Sequence, residues 1–292
     1  MEGSRRRAGR GGQGAGRRAQ GRRRDPGRSD VGARVLTAIP AIAFAIFIVA
    51  QGGLVFALGL IALGVLAQAE LYTMMARVRP ANLAGFLTLA GLVLAALYGD
   101  AFQVLLVLVC GVPLTFFLAL LRPTRENVSW AVAVTILGIV WIGLPVAHAV
   151  LLRGLPHGGG LVLDVLIGTF IADTAAYFGG RAWGRRRMAP QISPNKTLEG
   201  LVTGVVGGTL AFWLFAFAYQ HDWFKGPDAL LIGFCVALTA PIGDLFESLI
   251  KRDLEVKDTG RFFGAHGGVL DRLDAVLFTI VAGYYVSRAV LG

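Results

Sequence analysis

Nine apolar runs divide the chain, near 33–51, 53–70, 82–98, 101–121, 128–152, 161–179, 199–220, 228–250 and 271–291. Each approaches or exceeds the roughly 20 residues a helix needs to cross a bilayer. Hydrocarbon cannot satisfy open backbone groups, so runs of this length cross it only as helices. The pattern predicts an all-α, polytopic membrane bundle of about nine transmembrane helices, with no visible internal repeat. The first five runs are nearly free of charge and hold one carboxylate, Glu70, whereas runs six, eight and nine contain Asp164, Asp173, Asp244, Glu247, Asp271 and Asp274. Three regions follow: a polar tail over 1–32, apolar helices over 33–160, and helices bearing polar chemistry over 161–292.

Composition agrees with a membrane protein. Of 292 residues, 55% are hydrophobic and only 16% charged, where an ordinary soluble domain has nearer a quarter charged. The net charge of +10 resembles a nucleic-acid signal, but ten arginines lie between Arg5 and Arg28 in a Gly- and Arg-rich stretch without apolar periodicity. Such a stretch is expected to be disordered. Its plainest reading is a solvated topogenic arm, ahead of attraction to anionic lipid and, third, RNA binding; nucleic acid is not an expected partner. The tail is too long for the basic region of a signal peptide, and no clear small-residue cleavage site follows the first apolar run. Cys110 and Cys235 fall inside apolar runs and read as packing residues.

Charge also sets an expected orientation, because Lys and Arg accumulate in short cytoplasmic loops. Alternate loops carry Arg77 and Arg79, Arg122 and Arg125, then Arg181, Arg185, Arg186, Arg187 and Lys196, then Lys251, Arg252, Lys257 and Arg261; the intervening loops carry only Arg153 and Lys225. This places the N-terminus and both large basic loops in the cytoplasm, with the protein in the inner cell membrane.

Carboxylates in apolar helices are costly and mark function. Asp244, Glu247, Ser248 and Lys251 are three, four and seven residues apart, so they share one helix face, and that face cannot meet lipid. Two carboxylates there suggest a cation. Asp271 and Asp274 form a second such pair at the start of the last run. Hard carboxylate oxygens suit Mg²⁺, which commonly also takes substrate phosphate oxygens, and neighbouring lysines and arginines would hold the remaining phosphate charge. Gly267 and Gly268 let backbone approach a ligand closely. His266 either moves a proton or orders the Gly-rich turn. A second cluster offers Ser193, Lys196 and Thr197 as donors to a nucleotide, although Ser193 to Glu199 also reads as a helix start with Thr197 its N-cap. The pieces fit phosphoryl or nucleotidyl transfer.

These residues resemble the phosphatidate cytidylyltransferases, also called CDP-diacylglycerol synthases. The long pattern of that family is met by Ser248, Lys251, Arg252, Lys257, Asp258, His266, Gly267, Gly268, Asp271, Arg272 and Asp274, and its upstream elements by Asp173 to Tyr177 and Ser193 to Gly200. Two departures stand out: Phe263-Gly264-Ala265 replaces a Leu-Pro-Gly type of turn, and Asn195 occupies a common lysine position. The resemblance implies transfer of the CMP moiety of CTP to phosphatidate in the membrane, giving CDP-diacylglycerol and pyrophosphate for phospholipid biosynthesis, with Mg²⁺ and with or without a second cation. It implies Asp244 and Asp271 as metal ligands supported by Asp274 and Asp173, with Lys251 and His266 beside them at the reacting centre. Ser193, Lys196, Thr197, Ser248, Arg252, Lys257, Asp258, Gly267, Gly268 and Arg272 would bind substrate, and a homodimer is admitted. A CTP-dependent lipid kinase is the rival enzyme, distinguished by its products. A cation-coupled transporter is the rival of another class, but it would place acids in both halves of the chain.

Overall fold

The fold, a computed structural model, is described for residues 26–123, 125–220, 222–260 and 267–291. Its elements are α1 (Pro26–Gln51), α2 (Gly53–Met74), α3 (Asn82–Tyr98), α4 (Ala101–Leu120), α5 (Val128–Gly138), a π turn (Ile139–Gly143), α6 (Leu144–Gly154), α7 (Gly158–Trp183), β1 (Arg187–Ala189), β2 (Ser193–Thr197), α8 (Leu198–Gln220), α9 (Gly226–Asp253) and α10 (Leu270–Leu291). All nine apolar runs lie on helices. Among the described residues seven helices are long and apolar enough to cross a membrane, counting α5 to α6 as one; α3 and the Ile39–Gln51 part of α1 are shorter apolar helices. The chain is therefore a polytopic helical membrane protein.

Local chemistry explains several boundaries. Asp100 opens α4 with a capping box: its carboxylate accepts from the Phe102 N–H at 2.7 Å, while the Gln103 side chain accepts from the Asp100 N–H at 2.9 Å, satisfying donors that a helix start leaves open. The π turn stands just before Pro145, whose missing N–H and bulky ring disfavour a regular α turn.

The core of the first half packs Tyr72, Leu71, Leu89, Leu92, Ile142 and Leu152, all buried. The Tyr72 hydroxyl donates to the Thr135 carbonyl at 3.1 Å, and Thr135 Oγ1 accepts from the Ala81 N–H at 2.8 Å, so these two buried side chains have partners. Large apolar side chains such as Leu105, Val109 and Phe117 of α4 lie on the outside, as expected where the solvent is lipid.

The second half uses a different device. Gly168, Ala172, Ala176 and Gly180 on α7, and Gly200, Gly204 and Gly208 on α8, each recur every four residues, making two flat ridges that bring the backbones together. A Cβ at Gly204 would stand 2.9 Å from both the Ala172 carbonyl oxygen and the Ala176 Cβ. Close backbone approach through small residues is how helices gain packing energy in lipid.

One local feature departs from the all-helical expectation. Ser193 to Thr197 forms β2, antiparallel to β1 with Arg187 opposite Thr197 and Ala189 opposite Ser193, and α8 begins only at Leu198. Thr197 does cap that helix, its Oγ1 accepting from the Gly200 N–H at 3.1 Å. Strands of three and five residues are too short to show a period of two, and Pro194 is tolerated because a two-stranded ribbon consists only of edges.

Candidate active site

The carboxylates of α9 face α10 across a close contact. Gly243 makes it possible: a Cβ there would meet the Asp274 carbonyl oxygen and stand 2.9 Å from the Ala275 Cα. Consequently Asp244, Glu247 and Asp274 bring one carboxylate oxygen each to within 4.8 Å of one another. Three negative groups so close call for positive charge. Lys196, at the end of β2, places its Nζ 2.5 Å from Asp244 Oδ2, and Lys251 bridges Glu247 at 2.8 Å and Asp271 at 3.0 Å.

Glu247 is 2% exposed, and its Oε1 has no hydrogen-bond donor. A buried carboxylate oxygen left open beside two more carboxylates is a donor set for a hard divalent cation, which prefers oxygen ligands. The residues therefore fit Mg²⁺.

The triad lines a cavity of about 710 Å³. Asp173, Arg181, Lys196, Lys251 and Asp271 add charge to it, while Ala172, Ala176, Gly204, Val205 and Ala237 give it an apolar wall. Pro241 also lines it; having no N–H, it leaves the Ala237 carbonyl without a helical donor. One chamber thus carries both charged and apolar lining.

The structure does not gather every expected residue here. Asp244, Asp274, Asp173, Asp271, Lys196, Lys251 and Thr197 line the cavity. Asp271, expected as a leading ligand, directs its carboxylate to the Gly268 N–H at 2.6 Å, the Thr259 N–H at 3.1 Å and Lys251, so it caps the start of α10. Ser248 contacts Asp244 only at 3.5 Å. Arg252 Nε donates to the Ile192 carbonyl at 3.2 Å, tying the turn between the strands to α9. Ser193, Arg252, Lys257, Asp258, Gly267, Gly268 and Arg272 do not line the cavity; Gly267 takes a φ of 81°, which suits glycine. His266 lies outside the described residues.

Two residues outside the expected set of site residues gain a role in three dimensions. Glu247, already paired with Asp244 at i+3 in the sequence, joins Asp244 and Asp274 in the carboxylate group. Glu70, the isolated charge of the first half, reaches the start of α10, where its Oε1 accepts from the Val269 N–H at 2.9 Å. No local signal announced that pairing.

A family model described as "Cytidylyltransferase family" matches residues 32–290. The phosphatidate cytidylyltransferase of Mycobacterium leprae (strain TN) is 36% identical over 168 residues, 57% of this chain and 53% of that protein, so the chain spans about half the length of that relative. The protein of the same name from Rickettsia bellii (strain RML369-C) is 29% identical over 211 residues, 70% of this chain and 88% of that one. In Bacillus subtilis (strain 168) a phosphatidate cytidylyltransferase is 30% identical over 264 residues, 88% and 97% of the two chains. With the match running from before the second helix to the end of the last, across every element that builds the cavity, this chain belongs to the cytidylyltransferase family.

Proposed function

We propose that the protein transfers the CMP moiety of CTP to phosphatidate, forming CDP-diacylglycerol and releasing pyrophosphate. The observation that carries this reading is a cavity lined both by three clustered carboxylates with two lysines and by small apolar residues. That combination suits one charged and one lipid substrate.

In the reaction a phosphate oxygen of phosphatidate attacks the α-phosphorus of CTP, a new P–O bond forms, and the bond to the β-phosphate bridging oxygen breaks. Two anions must meet, so positive charge around them lowers the barrier. Asp244, Glu247 and Asp274 would hold a divalent cation, which when bound offsets that charge. Lys196 exchanges its Asp244 partner for a substrate phosphate, and Lys251 stays fixed by Glu247 and Asp271 at the cavity edge. Asp173 adds a carboxylate near the triad, and Thr197 offers its hydroxyl oxygen to the same wall. The Ala172, Ala176, Gly204 and Ala237 wall receives the glycerol and the first part of the acyl chains. No protein nucleophile is needed. The basic loops and the N-terminus face the cytoplasm, where CTP is found, in the inner membrane.

Purified protein given labelled CTP, phosphatidate and Mg²⁺ should form a CDP-lipid and pyrophosphate. Phosphorylated lipid with CDP as co-product would establish the lipid kinase instead, and no CDP-lipid under any divalent cation would overturn the assignment.

A further inference from the structure

The isolated carboxylate of the first half sits in a built arrangement. Glu70 Oε1 accepts from the Val269 N–H at 2.9 Å, and Oε2 accepts from the Leu270 N–H at 2.9 Å and from Thr259 Oγ1 at 3.3 Å. The backbone closes around it: a Cβ on Gly268 would stand 2.5 Å from Glu70 Cδ, and one on Gly260 would stand 2.5 Å from Glu70 Oε1. A helix start leaves its first N–H groups without intrahelical partners and favours negative charge. Here the cap comes partly from another helix, about 200 residues away in sequence.

Thr259 connects this cap to the cavity. Its hydroxyl donates to Glu70 while its N–H donates to Asp271 at 3.1 Å, and Asp271 in turn holds Lys251 at 3.0 Å, which holds Glu247 at 2.8 Å. An unbroken chain of hydrogen bonds thus runs from α2 to the carboxylate triad. Glu70 itself does not line the cavity.

We propose that Glu70 is a positioning residue for cytidylyl transfer: by capping α10 from α2, it sets the place of Asp271 and Asp274 relative to α9. The kinetic part rests on the proposed reaction; the structural part does not. Misplacing reacting groups by about 1 Å can cost roughly 100-fold in rate, so a cap that fixes one of two facing helices has leverage without touching substrate.

The test uses the full chain in detergent or nanodiscs. Hydrogen exchange of substrate-free Glu70→Gln should accelerate by about tenfold or more in peptides covering the start of α10, while peptides from α3 and α4 keep wild-type protection. CDP-lipid formation at saturating substrates should fall by roughly 10- to 100-fold per folded molecule, and Glu70→Asp, retaining both acceptor oxygens, should recover part of it. Thr259→Val, which removes one donor and keeps the N–H to Asp271, should shift the same peptides to a smaller degree, and it decides the matter if Glu70→Gln does not fold. Unchanged exchange at α10 overturns the proposal. So does acceleration spread over the whole chain with activity lost only in proportion to folded protein. A wild-type protein that makes no CDP-lipid would remove the reaction while leaving the exchange result to judge the cap.

Discussion

The helices before α7 and those from α7 onward are built from similar apolar sequence, yet they solve different problems. The earlier helices pack large side chains around Tyr72, Leu89 and Ile142, in a core that Phe212, Ile232 and Tyr284 of the later helices continue, and they bring the Glu70 carboxylate to the start of α10. Around the site the later helices also give up bulk for backbone contact, with Gly200, Gly204 and Gly208 against α7 and Gly243 against α10, and so can bring carboxylates from separate helices within reach of one ion. Side-chain bulk makes a scaffold; its removal makes room for chemistry. The difference can be attacked from either side.

The largest effect is expected at the triad. Asp244→Asn, Glu247→Gln or Asp274→Asn should each lower CDP-lipid formation by about 10³-fold or more while the protein elutes from a sizing column as wild type does; near-normal turnover in all three would separate the triad from the reaction. Next comes Lys251, whose side chain is 17% exposed between Glu247 at 2% and Asp271 at 12%. Lys251→Met strands two enclosed carboxylates and should cost roughly 3–5 kcal/mol, read as a lower melting temperature in detergent and recovered in part by Glu247→Gln. Gly204→Val forces a side chain against the Ala172 carbonyl oxygen and should cost about 1–3 kcal/mol, with the α7 and α8 peptides losing exchange protection first. At the other extreme, Leu105→Ala on the outer side of α4, where the side chain is 55% exposed, should change stability by no more than about 0.5 kcal/mol. A loss as large as that of Gly204→Val would mean that α4 is covered by another helix rather than by lipid.

The helices were legible because hydropathy acts over whole segments: each apolar run is a helix, and even the π turn lies inside a run that read as one element. The hairpin was not legible, since pairing between Arg187 and Thr197 depends on contacts too few to leave a pattern. At the site, Asp244 and Asp274 stood out through their cost in an apolar helix. Glu247 shared that signal, but spacing along one helix cannot say which carboxylates meet across two. Asp271 read as a ligand for the same reason, whereas its surroundings of N–H donors come from a turn whose shape no periodicity encodes. Glu70 was conspicuous and unassignable, its partners lying at the far end of the chain.

That distance bears on how the protein is made. A ribosome releases Glu70 some 190 to 200 residues before Thr259, Val269 and Leu270 exist, so until then this carboxylate must find water or temporary donors near the end of α2. The lock closes only when the last helix arrives. A nascent or truncated chain lacking α10 has the helices from α1 to α9 but neither the cap nor Asp274, so the three carboxylates cannot come together until α10 is made.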